Sequence, residues 1–333
     1  MVLTVAWLAL SFAMILAGAI AFTNAVEWAG MRLNLGHGAV GSVLAAVATA
    51  LPESTIPVMA IIAGEQSGQI AIGAIIGAPF LLATLGMVVV GTSTWLARGR
   101  RDQGIQLELH RSSTIRDLSV FLVLLSAGLV LGVVPVGKTV HVVMAGVFVI
   151  AYGVYVWRTV VRAGDSDDDE DLGRLYFDPA RPSSPRNILV IAQVIVSLAL
   201  IVGGAELFVH EVERLSEALG ITALVLALAL APLASELPEK LNSILWVRQG
   251  KDALALGNIT GAMVFQTAIP VSIGLVFVSW QLEPAAVIAM ACAFVGGALA
   301  LVNVRRTGRF TTPWILTWAA LYGGVLVYLF VGV

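Results

Sequence analysis

Residues 204–240 read GAELFVHEVERLSEALGITALVLALALAPLASELPEK, and they have a counterpart earlier in the chain. Residues 18–54 read GAIAFTNAVEWAGMRLNLGHGAVGSVLAAVATALPES. At an offset of 186, Gly18-Ala19 matches Gly204-Ala205, Phe22 matches Phe208, Val26 matches Val212, and Leu51-Pro52-Glu53 matches Leu237-Pro238-Glu239. The match continues downstream, where Gly73 and Gly77 in IAIGAIIGA correspond to Gly257 and Gly261 in LALGNITGA, after a connection two residues longer in the first half. Chance similarity between apolar helices does not place charged residues and prolines at fixed spacing. The chain therefore carries an internal duplication.

The solvent for this duplication is lipid. The 333 residues are 59% hydrophobic and 12% charged, with a mean hydropathy of +0.94, whereas soluble domains carry roughly 25% charged residues. Ten apolar stretches are long enough to span a bilayer, at 3–25, 38–63, 69–96, 115–134, 139–160, 187–209, 221–247, 254–278, 284–304 and 311–332. They are continuous and lack the period-two alternation of barrel strands, so they predict helices. Five precede the central polar segment and five follow it. An odd number per half forces the halves into opposite orientations. The expectation is an all-α membrane protein of ten transmembrane helices in two inverted five-helix repeats, 1–162 and 187–333, joined by a connector at 163–186.

Basic residues orient the bundle. With the N-terminus outside, every Lys and Arg but Lys138, Arg214 and Lys240 falls on the inside, which the positive-inside rule requires. Both termini are then expected outside, in a multi-pass protein of the cell membrane. Ala19-Ile20-Ala21 resembles a signal-cleavage site, but no basic residue precedes it and the repeat uses this segment, so it reads as the first span. The lone Cys292 can form no disulfide within the chain and reads as packing.

The connector, AGDSDDDEDLGRLYFDPARPSSPR, is the one long polar stretch and reads as a solvated, flexible linker. A cation-binding role for Asp165, Asp167, Asp168, Asp169, Glu170 and Asp171 is the alternative. The run lacks the ligand spacing and turn glycine of a calcium loop.

The Pro-Glu pairs carry the chemistry. Proline within a spanning helix removes a donor and frees a carbonyl. A carboxylate at mid-bilayer is costly unless it faces a polar cavity or a cation. Inversion brings Glu53 and Glu239 together at the midplane. With Thr49, Ser54 and Ser235 nearby they form a hard-oxygen environment suited to calcium or sodium. Glycines spaced four apart allow close helix approach beside this site. Glu236 and Lys240 are one helical turn apart and can pair; alternatively, Glu236 shares a proton with Glu239. Glu206 and His210 read as a local pair. Asn24, Asn242, Ser243, Asn258 and Thr267 line the cavity or bond between helices. Trp28, Trp95, Trp157, Trp246 and Trp314 read as interfacial anchors.

At GAELFVHEVERLSEALGIT (204–222), the two Leu-Pro-Glu motifs and GNITG (257–261), the chain resembles the cation/calcium exchanger superfamily, over essentially its whole length. The resemblance implies alternating access around a midplane site, with Glu53 and Glu239 binding the transported cation and Thr49 and Ser235 in ligand positions. It also marks departures. The family's Gly-Ser-Asn pattern is replaced by Gly77-Ala78-Pro79 and Gly261-Ala262-Met263, and Leu82 and Gln266 stand where the family places Asn or Asp. Glu236 replaces a usual Ser, and Lys240 adds a cation that could stand in for a bound sodium.

The function expected is antiport of calcium, or another cation, against sodium, with a cation-binding set of Glu53, Glu239, Thr49, Ser235, Glu236, Gln266 and Ser54. Proton coupling through Glu236 and Glu239 is the closest alternative. A non-transporting cation sensor and an intramembrane acid/base enzyme are the readings of other classes. There is no nucleotide loop and no His metal motif, and neither a cofactor nor a nucleic-acid partner is expected. The partners are inorganic cations and the bilayer. The sequence leaves oligomeric state open.

Overall fold

A computed structural model describes residues 1–32, 52–64, 67–101, 104–163, 173–181 and 184–331, with the backbone alone at positions 100, 160, 162, 163, 238 and 239. Among these residues the secondary structure is helical, apart from an isolated bridge between Gln106 and Arg309. The first half comprises α1 (Val2–Arg32), α2 (Pro52–Ala63), α3 (Gly68–Leu81), α4 (Met87–Ala97), α5 (Arg111–Val133) and α6 (Lys138–Ala163). The second comprises α7 (Asn187–Leu219), α8 (Ala223–Ser235), α9 (Leu237–Arg248), α10 (Asp252–Phe277), α11 (Pro284–Arg306) and α12 (Thr312–Val331).

The helices coincide with the apolar stretches to within a few residues at most ends, α1 and α7 being the longest overruns. α3 and α4 form one span, Gly68–Ala97, joined through a π-helical turn at Leu82–Gly86. α8 and α9 form another, interrupted at Glu236. Residues 33–51, with Thr49 and the start of the second span, lie outside the described residues.

Reciprocal contacts reveal the inversion. A Cβ on Gly18 would lie 2.8 Å from Ile201 Cγ1, and one on Gly204 would lie 2.9 Å from Ile15 Cγ1. Ile15 and Ile201 are themselves 186 residues apart, as are Gly18 and Gly204, so the repeat operation exchanges the two contacts. Moving up α1 from Ile15 to Gly18 moves down α7 from Gly204 to Ile201. The first spans of the two halves are therefore antiparallel.

α3 packs the other way. A Cβ on Gly73 would lie 2.5 Å from the carbonyl oxygen of Leu224, and one on Gly77 would lie 2.5 Å from that of Leu228. Both positions advance together, so α3 and α8 run parallel with their backbones nearly touching. The expected close approach of the third span to the opposite Pro-Glu helix is thus present in one half. The repeat-related partners of Gly257 and Gly261 fall around residues 38 and 42, outside the described residues.

The largest buried apolar cluster is built from α3–α6 and α8–α12, including Phe80, Phe121, Phe148, Trp280 and Trp318. Buried indoles bond to backbone: Trp280 Nε1 donates to Gly128 O at 3.0 Å and Trp318 Nε1 to Gly296 O at 3.0 Å. Cys292 is a free thiol packed at the edge of this cluster.

The connector departs from a freely solvated linker at 173–181 and 184–186. Leu175 is fully buried in a small cluster with Ala25, Trp28 and Val190. Trp28 Nε1 donates to Gly173 O at 2.9 Å, and the backbone N–H of Phe177 donates to Gln193 Oε1 at 2.9 Å. Trp28 is thus a buried docking residue rather than an interfacial anchor, because its indole N–H satisfies a connector carbonyl. Asn24 serves the same end: its Nδ2 donates to Arg174 O at 3.4 Å, and its Oδ1 accepts from Gln193 Nε2 at 3.0 Å. The acidic run 165–171 lies outside the described residues. Trp95 and Trp157 are exposed as expected of anchors, whereas Trp246 and Trp314 pack against the main cluster.

Candidate cation site

The second span of the second half breaks where its prolines demand it. Pro232 and Pro238 cannot donate to the carbonyls of Leu228 and Ala234, four residues earlier in each case. α8 ends at Ser235, Glu236 takes a non-helical backbone (φ −102°, ψ 5°), and α9 restarts with Pro238 in its first turn, where a missing N–H costs nothing. Irregular backbone at membrane depth is tolerated only where protein or a polar cavity surrounds it. Glu236 meets that condition, with no exposed surface.

Its carboxylate is fully engaged. Lys240 Nζ donates to Glu236 Oε2 at 2.9 Å and to the Glu236 backbone oxygen at 3.3 Å. Gln266 Nε2, from α10, donates to Glu236 Oε1 at 3.1 Å. All three side chains are buried. Of the two readings of Glu236, the pairing with Lys240 is present, while a proton shared with Glu239 involves a side chain outside the described residues. An ammonium and an amide hold the two carboxylate oxygens, which ties the helix break to α10.

Around this triad the other predicted residues are distributed unevenly. Ser235 is buried, and its hydroxyl donates to Ala231 O at 3.2 Å, leaving its lone pairs available. Gln266 Oε1 is buried with no hydrogen-bond partner among the described residues. Glu53 opens α2 and is buried. Ser54 follows it on the same helix. The side chain of Glu239 and all of Thr49 lie outside what the structure describes, so the convergence of Glu53 on Glu239 stays an expectation.

Ala78, Pro79, Leu82 and Met263, which replace the resemblance family's polar positions, are all buried. The third span therefore presents hydrocarbon where a fuller ligand shell would need oxygen. Glu206 and His210 are both exposed on α7, and the expected local pair is not among the ion pairs of the described residues. Ser243 bonds between helices, donating to Ala255 O at 3.2 Å, while Thr267 bonds back to Met263 O within its own helix at 2.9 Å.

Two aromatic residues escaped the sequence reading. Tyr152 on α6 lies in electrostatic range of Glu53, and Tyr322 on α12 in that of Glu236. Each belongs to the last span of its half, and nothing in a hydrophobic run containing two tyrosines signals which of them takes such a position. A buried carboxylate between α5 and α10 was missed as well. Asp117 on α5 accepts from Thr260 Oγ1 of α10 at 3.1 Å and from Arg116 Nη2 at 3.2 Å, and it is hydrogen-bonded to Tyr155.

An inverted-repeat helical bundle with a broken helix and buried carboxylates at its centre defines a secondary transporter. Residues 3–161 and 189–331 match the family described as sodium/calcium exchanger protein, and the chain belongs to that family. It is a cation antiporter family, not an enzyme family.

The CaxA protein of Alkalimonas amylolytica is 28% identical over 93 residues, spanning 28% of this chain and only 29% of that relative. The uncharacterized membrane protein MJ0091 of Methanocaldococcus jannaschii is 23% identical over 283 residues, 85% of each chain. Among solved structures, the H+/Ca2+ exchanger CAX superposes with a TM-score of 0.74 at 18% identity, covering 98% of this chain and 81% of that one. The sodium-calcium exchanger NCX_Mj superposes with a TM-score of 0.60 at 21% identity, covering 98% and 99%. At these identities the structural likeness establishes the fold.

Proposed function

We propose that the chain exchanges calcium for sodium by alternating access, with Glu53 and Glu239 as the two acidic ligands and Thr49, Ser54, Ser235 and Gln266 supplying neutral oxygens. The observation that carries this reading is the helix break at the Leu-Pro-Glu motif, buried and bordered by Gln266 Oε1, which has no hydrogen-bond partner among the described residues. Calcium takes six to eight oxygen ligands and favours carboxylates. Glu236 is held by Lys240 and Gln266, so its role is to position Gln266 and the break rather than to ligate. Both termini are assigned to the outside of the cell membrane, with the arginine-rich loops inside.

Proton coupling is a second reading, favoured by one observation. Ala78, Leu82 and Met263 leave few oxygens for additional sodium ions. A proton needs only a carboxylate.

Purified protein in calcium-loaded or calcium-free liposomes distinguishes the two. Isotopic calcium uptake driven by an imposed outward sodium gradient, and indifferent to a pH gradient, supports sodium coupling; the reverse supports proton coupling. Glu53→Gln and Glu239→Gln are each expected to abolish uptake under both gradients. Normal uptake by these variants would remove the site.

A further inference from the structure

α5 and α6 are consecutive helices, yet both pack along α10 rather than closely against each other. Between them lies a cavity of about 440 Å³, within the range of roughly 300–1,000 Å³ usual for small-molecule sites. Its walls are predominantly hydrocarbon. Val123 is 68% exposed and Val154 42% exposed, so the groove opens on the outer surface of the bundle, where acyl chains lie.

One end of the groove differs chemically from the rest. Arg116, near the start of α5, and Arg158, near the end of α6, both line it, with Ser119 beside them. Arg116 is anchored rather than loose: Nε and Nη2 bond to Asp117 Oδ1 at 3.3 and 3.2 Å, and its guanidinium stands 5.5 Å over the Tyr155 ring. Those bonds use two of its five N–H donors. Arg158 is exposed and has no hydrogen bond or ion pair to protein among the described residues. Against the one carboxylate of Asp117, which Thr260 and Tyr155 also bond, two guanidiniums leave a net positive charge at the groove's mouth. Exposed valines beneath paired arginines suit a molecule that is anionic at one end and aliphatic along its length. Basic pockets between transmembrane helices bind acidic lipid headgroups for this reason.

We propose that the α5–α6 groove is a binding site for one anionic phospholipid, with its phosphate between Arg116 and Arg158 and an acyl chain along Val120, Val123 and Val154. Its position makes it more than an annular contact. Arg116 reaches α10 through Asp117 and Thr260, and Thr260 lies six residues before Gln266. Tyr155 also stacks on Tyr152, centroids 6.1 Å apart, and Tyr152 lies in electrostatic range of Glu53.

The test is native mass spectrometry of the full chain equilibrated with equal amounts of phosphatidylglycerol and phosphatidylcholine of the same acyl length. One phosphatidylglycerol is expected to be retained preferentially. Arg158→Gln is expected to lower that retention about five-fold, the effect of one basic residue at an acidic lipid surface. Arg158→Lys should keep most of it. Val123→Trp, which fills the groove without touching its charge, should lower retention to a similar degree, and Arg305→Gln, on α11, should change nothing.

Equal retention of the two lipids overturns the proposal, as does unchanged retention in either Arg158→Gln or Val123→Trp. Displacement of the bound lipid by millimolar inorganic phosphate overturns it too, since the groove would then be reading a free anion.

Discussion

Lys240 and Glu236 form a buried ion pair, Nζ to Oε2 2.9 Å, one helical turn apart across a helix break. Neither charge has water to fall back on. Removing one partner from such a pair typically costs about 3–5 kcal/mol, whereas replacing both by apolar groups is often neutral. Lys240→Met is therefore expected to lower stability by about that amount, and Glu236→Leu combined with Lys240→Met to recover most of it. Denaturation midpoints in mild detergent provide the measurement. Equal losses in the single and double variants would show that the pair is not the source.

The glycines of α3 give a sharper steric prediction. A methyl at Gly77 would meet the Leu228 carbonyl oxygen at 2.5 Å and Pro232 Cγ at 2.7 Å, and backbone cannot step aside as a side chain can. Gly77→Ala is expected to destabilise by about 1–3 kcal/mol, as overpacking does. Gly146→Ala on α6, where nothing lies within 4 Å, should be neutral or slightly stabilising. Thermal unfolding of the two variants separates a close-packed helix pair from a general intolerance of helix substitution.

Arg101 and Asp252 are 2% and 1% exposed and join the α4–α5 loop to the start of α10. Arg101 Nη1 donates to Asp252 Oδ1 at 2.6 Å and to Val247 O at 2.9 Å, and the Glu108 backbone N–H donates to Asp252 Oδ2 at 2.9 Å. Asp252→Ala strands a buried guanidinium and should cost about 3–5 kcal/mol. Asp252→Asn keeps the acceptor for Glu108 and should cost less. Limited proteolysis of the 98–110 loop, intact in the parent chain and cut in Asp252→Ala, reports the difference locally.

The docked connector is expected to respond to acid. The Arg186 backbone N–H donates to Asp178 Oδ2 at 2.9 Å and, with the Arg186 side chain, holds the Asp178 carboxyl below its ordinary value. A depressed carboxylate stabilises the docked form at every pH above the unfolded value of about 3.9, and the benefit fades as pH falls below that toward the folded value. Amide hydrogen exchange at 175–178 and 186 should be constant from neutral pH to about 4, after correction for intrinsic rates, and rise below it. Asp178→Asn should exchange faster throughout and lose the acid step.

The bundle's plan was legible because its signals are redundant. Ten long apolar runs, five on each side of the connector, and an offset of 186 through the Pro-Glu motifs both point to two related halves. The positions of Gly18 and Gly204 carried more than their identity suggested, since each packs on the repeat-mate of the other's partner. What escaped reading was set by tertiary neighbours. Trp28 near a helix end has the pattern of an interfacial anchor, and only the connector carbonyl beside it makes it a buried docking group. Pro79 sits inside α3 without ending it; the irregularity emerges at Leu82–Gly86. Asp117 and Tyr152 lie in sequence among apolar or surface-facing residues, and their significance depends on Thr260 and Glu53, which only folding brings near.

The antiparallel α1–α7 crossing is unchanged when the halves trade roles, because the Gly18–Ile201 and Gly204–Ile15 contacts simply exchange. That crossing is therefore shared by the two halves under the repeat operation. The Glu236–Lys240–Gln266 triad cannot be shared in this way. Its counterparts in the first half are Ala50, Ser54 and Leu82, which hold neither ion pair nor amide. The two halves therefore present unlike chemistry at repeat-related positions, an ion pair and an amide in one and small or apolar side chains in the other.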